Sequence, residues 1–231
     1  MTIIDDALDL VPDHACIGLG SGQAARAFVT ALGERVRAGR LSVRGVATSS
    51  DTEHLARQVG IPLITLREAG NLQLTVDGAD EVDPELNLIK GYGRAMVRER
   101  IVAYTSHRLV ILVGEEKLVP QLGTRGRLPI EVTPFALPIC QRVLLNRGFG
   151  LPEFDQEHGP NMSENGNYIL DCRVPPIADP RALEADLRSI PGVLDTGLFL
   201  GLADLVLIGD RHTFATREVR ERQGSTRSHL A

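Results

Sequence analysis

Along residues 1–127 the apolar positions follow two alternating rhythms. Short continuous apolar runs end in glycine or polar residues: HACIGLG (14–20), VRGVATSS (43–50), IPLITL (61–66), LQLTVDGAD (72–80) and RLVILVG (108–114). Between them, QAARAFVTALGERVRAG (23–39) and SDTEHLARQVG (50–60) space their apolar residues three and four apart and stop at Gly39 and Gly60. Ser50 or Asp51 is the expected N-cap of the second of these helices. Strands that are apolar throughout, separated by amphipathic helices, predict a parallel sheet covered on both faces.

The rhythm changes near Leu128. LPIEVTPF (128–135) reads as a strand, and ALPICQRVLLNRG (136–148) as a helix stopped by Gly148. A polar stretch runs to NGN (165–167), before the strand YILDCRV (168–174). Asp179 with Pro180 opens the helix 179–190, and GVLDTGLF (192–199) reads as one further strand. Strand, helix, strand, strand, helix, strand is the order of a ferredoxin-like insert. LADLVLIGD (202–210) returns to the first sheet, and the tail 221–231 is polar and expected to be mobile.

Composition narrows the function. The chain is 43% hydrophobic and 24% charged with a net charge of -5, which argues against nucleic acid as the main partner. No run of about 18 apolar residues is present, so no membrane span is expected. The acid-bearing start MTIIDDALDL lacks the basic segment of a signal peptide, so a cytoplasmic location is expected. Cys16, Cys140 and Cys172 are odd in number, far apart and free of CxxC spacing, which reads as reduced thiols. The histidines form no HxxxH or HExxH cluster, so no metal is expected, and with no Walker pattern and no complete dinucleotide fingerprint no nucleotide cofactor is expected either.

Of the 25 basic residues only two are lysine, Lys90 and Lys117. A chain that uses arginine for generic charge keeps lysine where a compact, movable ammonium serves better. Lys90 lies in a glycine turn just after four acids, Asp77, Asp80, Glu81 and Asp83. Asp77 and Asp80 flank Gly78-Ala79, a turn small enough for a ligand to approach the backbone. Two close carboxylates push their pKa values apart, so one can hold a proton near neutrality. Glu81 and Asp83 are expected to face water; the competing reading of all four is a solvated acidic loop. Glu99 has Ala95, Met96, Val102 and Ala103 as its helical neighbours. A carboxylate among them is desolvated and suited to act as a general base.

GLGSGQAA (18–25) places glycines between a strand and a helix, where backbone N–H groups can meet an anion. Gln23 stands where a dinucleotide fingerprint needs glycine, so a small phosphate or a sugar hydroxyl fits better than a nucleotide. The alternative is a tight turn without ligand. Thr48, Ser49, Ser50 and Thr52 put hydroxyls at the carboxyl end of the second strand, where ligands bind or where helix capping alone is served.

These segments resemble ribose-5-phosphate isomerase of the A type. The matching stretches are IGLGSGQAA, TSSDTEHLARQVGIPL, TVDGADEVD, LIKGYGRAMVRERIVA, LVGEEKLVPQLG, LPIEVTPFA, NYILDC and IPGVLDTGLFLGLADLVLIG. The resemblance implies an α/β fold with a Rossmann-like, mostly parallel sheet domain over 1–127 and 199–231. A smaller ferredoxin-like α+β domain over 128–198 completes it. It implies a homo-oligomer, dimer or tetramer, and metal-free interconversion of D-ribose 5-phosphate and D-ribulose 5-phosphate. Glu99 then takes the place of the base, Lys90 of the cation beside the oxyanion, Asp77 and Asp80 of the ring-opening pair, and Lys117 of a further pocket lysine. Candidate substrate contacts are Ser21, Gly22, Gln23, Ala24, Thr48, Ser49, Gly78, Ala79, Gly91, Tyr92 and Gly93. The family's glycine turn GTGSTA is altered at Gln23 and Ala24, and Tyr92 and Arg94 replace small residues. Two alternatives stay open on that account: an isomerase for another aldose or aldose phosphate, and an inactive sugar-phosphate-binding module.

Overall fold

The structure is a computed structural model that describes residues 1–151 and 161–223. In chain order its first elements are α1 (Ile3–Asp9), β1 (Ala15–Leu19), α2 (Gln23–Arg37), β2 (Val43–Ala47), α3 (Ser50–Gln58), α4 (Leu66–Ala69) and β3 (Leu74–Gly78). There follow β4 (Glu81–Val82), β5 (Leu88–Ile89), α5 (Met96–Tyr104), β6 (Leu109–Gly114), β7 (Arg127–Val132), α6 (Leu137–Asn146) and β8 (Asn161–Met162). The last are β9 (Tyr168–Arg173), α7 (Pro180–Arg188), β10 (Val193–Thr196), β11 (Leu198–Phe199), β12 (Leu205–Gly209) and β13 (Thr216–Glu221).

The chain divides into two compact units. The first comprises Met1–Ala79, Arg98–Lys117 and Gly201–Ala231. It holds a six-stranded sheet in the order β13-β12-β6-β3-β1-β2, parallel except for the edge strand β13. Every residue of β1 and β12 is buried, as expected of strands covered on both faces. Phe28, Val29 and Leu32 of α2 pack with Ile17, Leu19, Leu74 and Val76 in the main core. The order places β1 between β2 and β3, so the chain leaves β1 first toward one side and later returns to the other. The carboxyl ends of β1 and β3 therefore form the topological switch point, where open α/β sheets bind ligands.

The second unit comprises Asp80–Val97 and Leu118–Leu200. Its four-stranded antiparallel sheet has the order β10-β7-β9-β8. With α6 after β7 and α7 after β9, this is the expected ferredoxin-like βαββαβ arrangement. Leu128, Ile130 and Val132 of β7 alternate onto the face covered by Cys140, Leu144 and Leu187. A three-stranded sheet, β11-β5-β4, completes the unit.

The structure departs from the sequence reading in several elements. Residues 80–97, 118–127 and 199–200 group with the second unit, whereas the reading assigned them to the first. Their hydrogen bonds explain this: Lys90 N–H donates to Gly197 O, and Val119 N–H to Val82 O. IPLITL is not a strand. Pro62 cannot donate to a ladder, only Leu63 bridges to Gly45, and a Thr65–Glu68 capping box starts α4 instead. GVLDTGLF is two strands in two sheets, because the chain changes partner at Gly197, whose N–H donates to Pro129 O. Ser49, not Ser50 or Asp51, caps α3 by accepting from Thr52 N–H. Residues 3–9 form an unforeseen helix, with Ile3, Ile4, Ala7 and Leu8 buried on one stripe. Of the polar tail, 224–231 lie outside the described residues, as do 152–160 of the polar stretch before NGN.

Candidate active site

In the first unit the site is built on the switch point. Gly20 follows β1 so closely against β3 that a Cβ there would lie 2.3 Å from Asp77 Oδ1 and 2.5 Å from Asp77 Cα. Ser21 N–H donates to Asp77 Oδ1 at 2.9 Å, and Gly78 N–H donates to the same oxygen at 2.8 Å. Asp77 is buried and thereby ties the loop after β1 to the end of β3. Gly20→Ala has no flexible neighbour to displace. It should cost about 1–3 kcal/mol of stability by overpacking, and turnover should fall with the shifted carboxylate. Urea unfolding and kcat/KM of that variant check both.

A chain of hydroxyls adjoins this loop. Ser21 Oγ lies 2.7 Å from Thr48 Oγ1 and donates to Ser49 Oγ at 3.0 Å. Ser49 Oγ donates to Thr52 Oγ1 at 3.0 Å, and Thr52 Oγ1 to Gly20 O at 2.9 Å. Gly22, at φ 87°, is the N-cap of the 15-residue α2 and offers no side-chain cap. The first-turn N–H groups at Gln23 and Ala24 thus stand beside the hydroxyl chain at a positive helix end, a place suited to an anion. Gln23 and Gly22 are exposed, Ala24 partly so, while Thr48 and Ser49 are buried.

Glu99 sits in the first turn of α5 and is 4% exposed. Ala95, Met96, Val102 and Ala103 are all buried around its place on the helix. Arg98 and Arg100, which share the apolar sequence neighbourhood, stay half-buried, so the structure singles out the carboxylate. Gly18 lets α5 approach the sheet, since a Cβ there would lie 2.5 Å from Val102 Cγ1. Lys117 is half-buried in a 3₁₀ turn (Glu115–Lys117) directly after β6.

In the second unit Lys90 follows β5 and is 4% exposed, its Nζ 5.7 Å from the Phe199 ring centroid. That position offers the ammonium a cation–π partner away from bulk water. Gly91 (φ 116°) and Arg94 (φ 65°) both adopt left-handed conformations, and Arg94 N–H closes the turn onto Gly91 O. Tyr92 N–H donates to Asp80 Oδ2 at 3.1 Å, so the turn after Lys90 holds the second aspartate. Asp80, Gly78 and Ala79 are half-buried, and Gly93 and Arg94 are exposed.

Two acids expected to face water do not. Glu81 is fully buried and accepts from Gly123 N–H at 2.6 Å and Arg125 N–H at 2.8 Å. Burial pushes its carboxyl above the ordinary value, and the two N–H donors oppose that rise. Asp83 is 5% exposed and accepts from Asn87 N–H and Nδ2. Both acids are internal anchors: Glu81 for the loop after Leu122, Asp83 for its own turn. Glu81→Ala orphans the buried Gly123 N–H and frees the part-buried Arg125 N–H, and should cost about 1–3 kcal/mol, read from urea unfolding. The sequence carried no local signal for Glu81, because its partners lie about forty residues downstream.

Among the described residues no group of three or more His, Cys, Asp or Glu stands where it could hold a metal ion. Among them, too, no helix is long and apolar enough to cross a membrane.

Comparison with known proteins converges on one family. The family model for ribose 5-phosphate isomerase A (phosphoriboisomerase A) matches residues 44–213. Ribose-5-phosphate isomerase A of Roseiflexus sp. (strain RS-1) is 47% identical over 207 residues, covering 88% of each chain. Its counterpart in Gloeobacter violaceus is 47% identical over 205 residues, covering 88% of this chain and 89% of the other. A D-ribose-5-phosphate isomerase solved in complex with phospho-erythronic acid superposes with a TM-score of 0.88 at 38% identity, over 95% of this chain and 96% of the other. Ribose 5-phosphate isomerase A from Methanocaldococcus jannaschii gives 0.86 at 37%, with the same coverage.

Proposed function

The chain belongs to the ribose 5-phosphate isomerase A family, and we infer that it interconverts D-ribose 5-phosphate and D-ribulose 5-phosphate with the residues described above. The observation that carries the assignment of roles is Glu99, a carboxylate 4% exposed with buried apolar residues three and four positions away on its helix. Its proposed work is to take the C2 proton of the open-chain aldose, exchange it with solvent, and deliver a proton to C1, through an enediolate. The geometry of a desolvated carboxylate favours this, since loss of hydration makes it a stronger base.

The other roles follow from chemistry that must accompany that transfer. Negative charge develops on the carbonyl oxygen as the proton leaves, and the Lys90 ammonium is the proposed group that meets it. Asp77 and Asp80 are proposed to open the sugar ring and to handle hydroxyl protons. The three residues from Asp77 to Asp80 span at most about 11 Å of chain, which suits two groups acting on one small sugar. Lys117 is proposed as a further charge at the end of β6. Ser21, Thr48, Ser49 and the first-turn N–H groups of α2 are proposed to receive the phosphate. Ser21 N–H already serves Asp77, so its contribution there comes from the hydroxyl, which turns from Ser49 Oγ to meet the phosphate. A cytoplasmic homo-oligomer, dimer or tetramer, completes the proposed reading, and light scattering gives its mass.

The test compares kcat/KM for ribose 5-phosphate and for free ribose in an assay coupled to ketose formation. A preference of several hundredfold or more for the phosphorylated sugar is expected, because a dianion at a helix end and hydroxyl cluster adds several kcal/mol of binding. Equal use of both sugars would favour a different aldose as substrate, the reading that Gln23 and Ala24 keep in play.

A further inference from the structure

The turn that carries Lys90 has little of its own to hold it. Gly91 and Gly93 lack side chains, Arg94 is exposed, and two of its residues stand in left-handed conformations. Glycine leaves backbone freedom, and a left-handed arginine is strained. Yet this turn supplies the N–H that fixes the Asp80 carboxylate. Backbone bonds fasten its two ends, Lys90 N–H to Gly197 O and Glu164 N–H to Arg94 O, and the Tyr92 side chain fastens its middle. The Arg127 guanidinium lies over its ring at 4.0 Å, and its hydroxyl donates to Arg127 O at 3.3 Å. Arg127 is held in turn by Asp171, with Nε and Nη2 on one carboxylate oxygen at 2.9 and 2.8 Å. Asn161 Nδ2 donates to the other oxygen of Asp171. The chain of contacts runs from strand β9 through β7 to the turn, and all of it lies within the second unit.

We propose that Tyr92 is a positioning residue for the isomerisation: its ring, clamped by Arg127, fixes the turn whose backbone N–H holds the Asp80 carboxylate. The sequence reading placed Tyr92 among substrate contacts, but its ring and hydroxyl are both engaged by Arg127. Burial, with the Asp80 and Glu81 carboxylates behind it, pushes the phenol up to about 12. The hydroxyl therefore stays protonated at physiological pH and donates to the backbone instead of exchanging protons with a sugar. The ring–guanidinium contact at 4.0 Å contributes more than the hydroxyl bond, which is long at 3.3 Å.

The inference rests on the isomerase reading, so wild type and variants are assayed together with ribose 5-phosphate. Tyr92→Phe keeps the stack and should stay within threefold of wild-type kcat. Tyr92→Gly and Arg127→Met should each lower kcat about tenfold with KM within twofold, the scale of a slightly misplaced catalytic group. The double variant should be no worse than either single one, since both remove the same clamp. Circular dichroism confirms the fold, and Tyr92→Leu replaces the glycine variant if that one fails to fold. Wild-type kcat in Tyr92→Gly and Arg127→Met, with only a lower Tm, would overturn the inference. So would a raised KM at constant kcat in Tyr92→Phe, which would make Tyr92 a substrate contact. An inactive wild type would end the isomerase reading and this inference with it.

Discussion

Replacing Glu99 by Gln should lower kcat for ribose 5-phosphate by about 10³-fold, within the 10²–10⁴ range of a positioned general base. The amide has nearly the same size and shape, so packing around Ala95, Met96, Val102 and Ala103 is retained. What it lacks is a lone pair basic enough to take a proton from carbon. KM should change little, because the carboxylate acts mainly as the proton moves. The thermal midpoint should change little, since size and packing are kept. A fall in stability without a fall in kcat would reassign Glu99 to a structural role.

Lys90→Met should lower kcat by about 10²–10³-fold, the cost of removing one group of the kind proposed for Lys90, a cation that meets developing oxyanion charge. Methionine keeps a flexible apolar stem against the Phe199 ring, 5.7 Å from the lysine nitrogen, while removing the charge. Lys90→Arg should not restore turnover. The guanidinium is larger, planar and delocalised, and the site is closed enough to leave Lys90 4% exposed. Full activity of the arginine variant would show that a generic positive charge suffices there. The retention of lysine in a chain with 25 basic residues would then be chance.

Much of this arrangement was legible in the sequence because it rests on local rules. Glycine after an apolar run marked the end of β1, and the spacing of Phe28, Val29 and Leu32 marked the buried face of α2. Asp179-Pro180 marked the start of α7 through a cap and a fixed φ. The helical neighbours of Glu99 were apolar in sequence and are buried in the fold. The acids failed differently. Glu81 and Asp83 follow a polar-turn pattern, yet Glu81 is held by backbone donors near position 124 and Asp83 by Asn87. Burial of Glu81 depends on distant N–H groups that the fold delivers to it, and no spacing rule encodes that.

The strand 192–199 shows the same limit at the level of topology. Its pattern is that of one continuous strand, and only the arrival of Lys90 and Pro129 at Gly197 splits it between two sheets. The same event sets the backbone position of Lys90. Likewise Tyr92 reads as a bulky intruder in a glycine turn until Arg127, 35 residues away, is seen over its ring.

The central claim is proton transfer by a protein base between C2 and C1. Its most direct test is conversion of ribose 5-phosphate in D₂O, followed by NMR of the ribulose 5-phosphate formed. Wild type should place solvent deuterium at C1 of the product, and Glu99→Gln should form no appreciable product. Product formed by wild type with C1 wholly unlabelled at every extent of conversion, as a direct hydride shift would give, would contradict it.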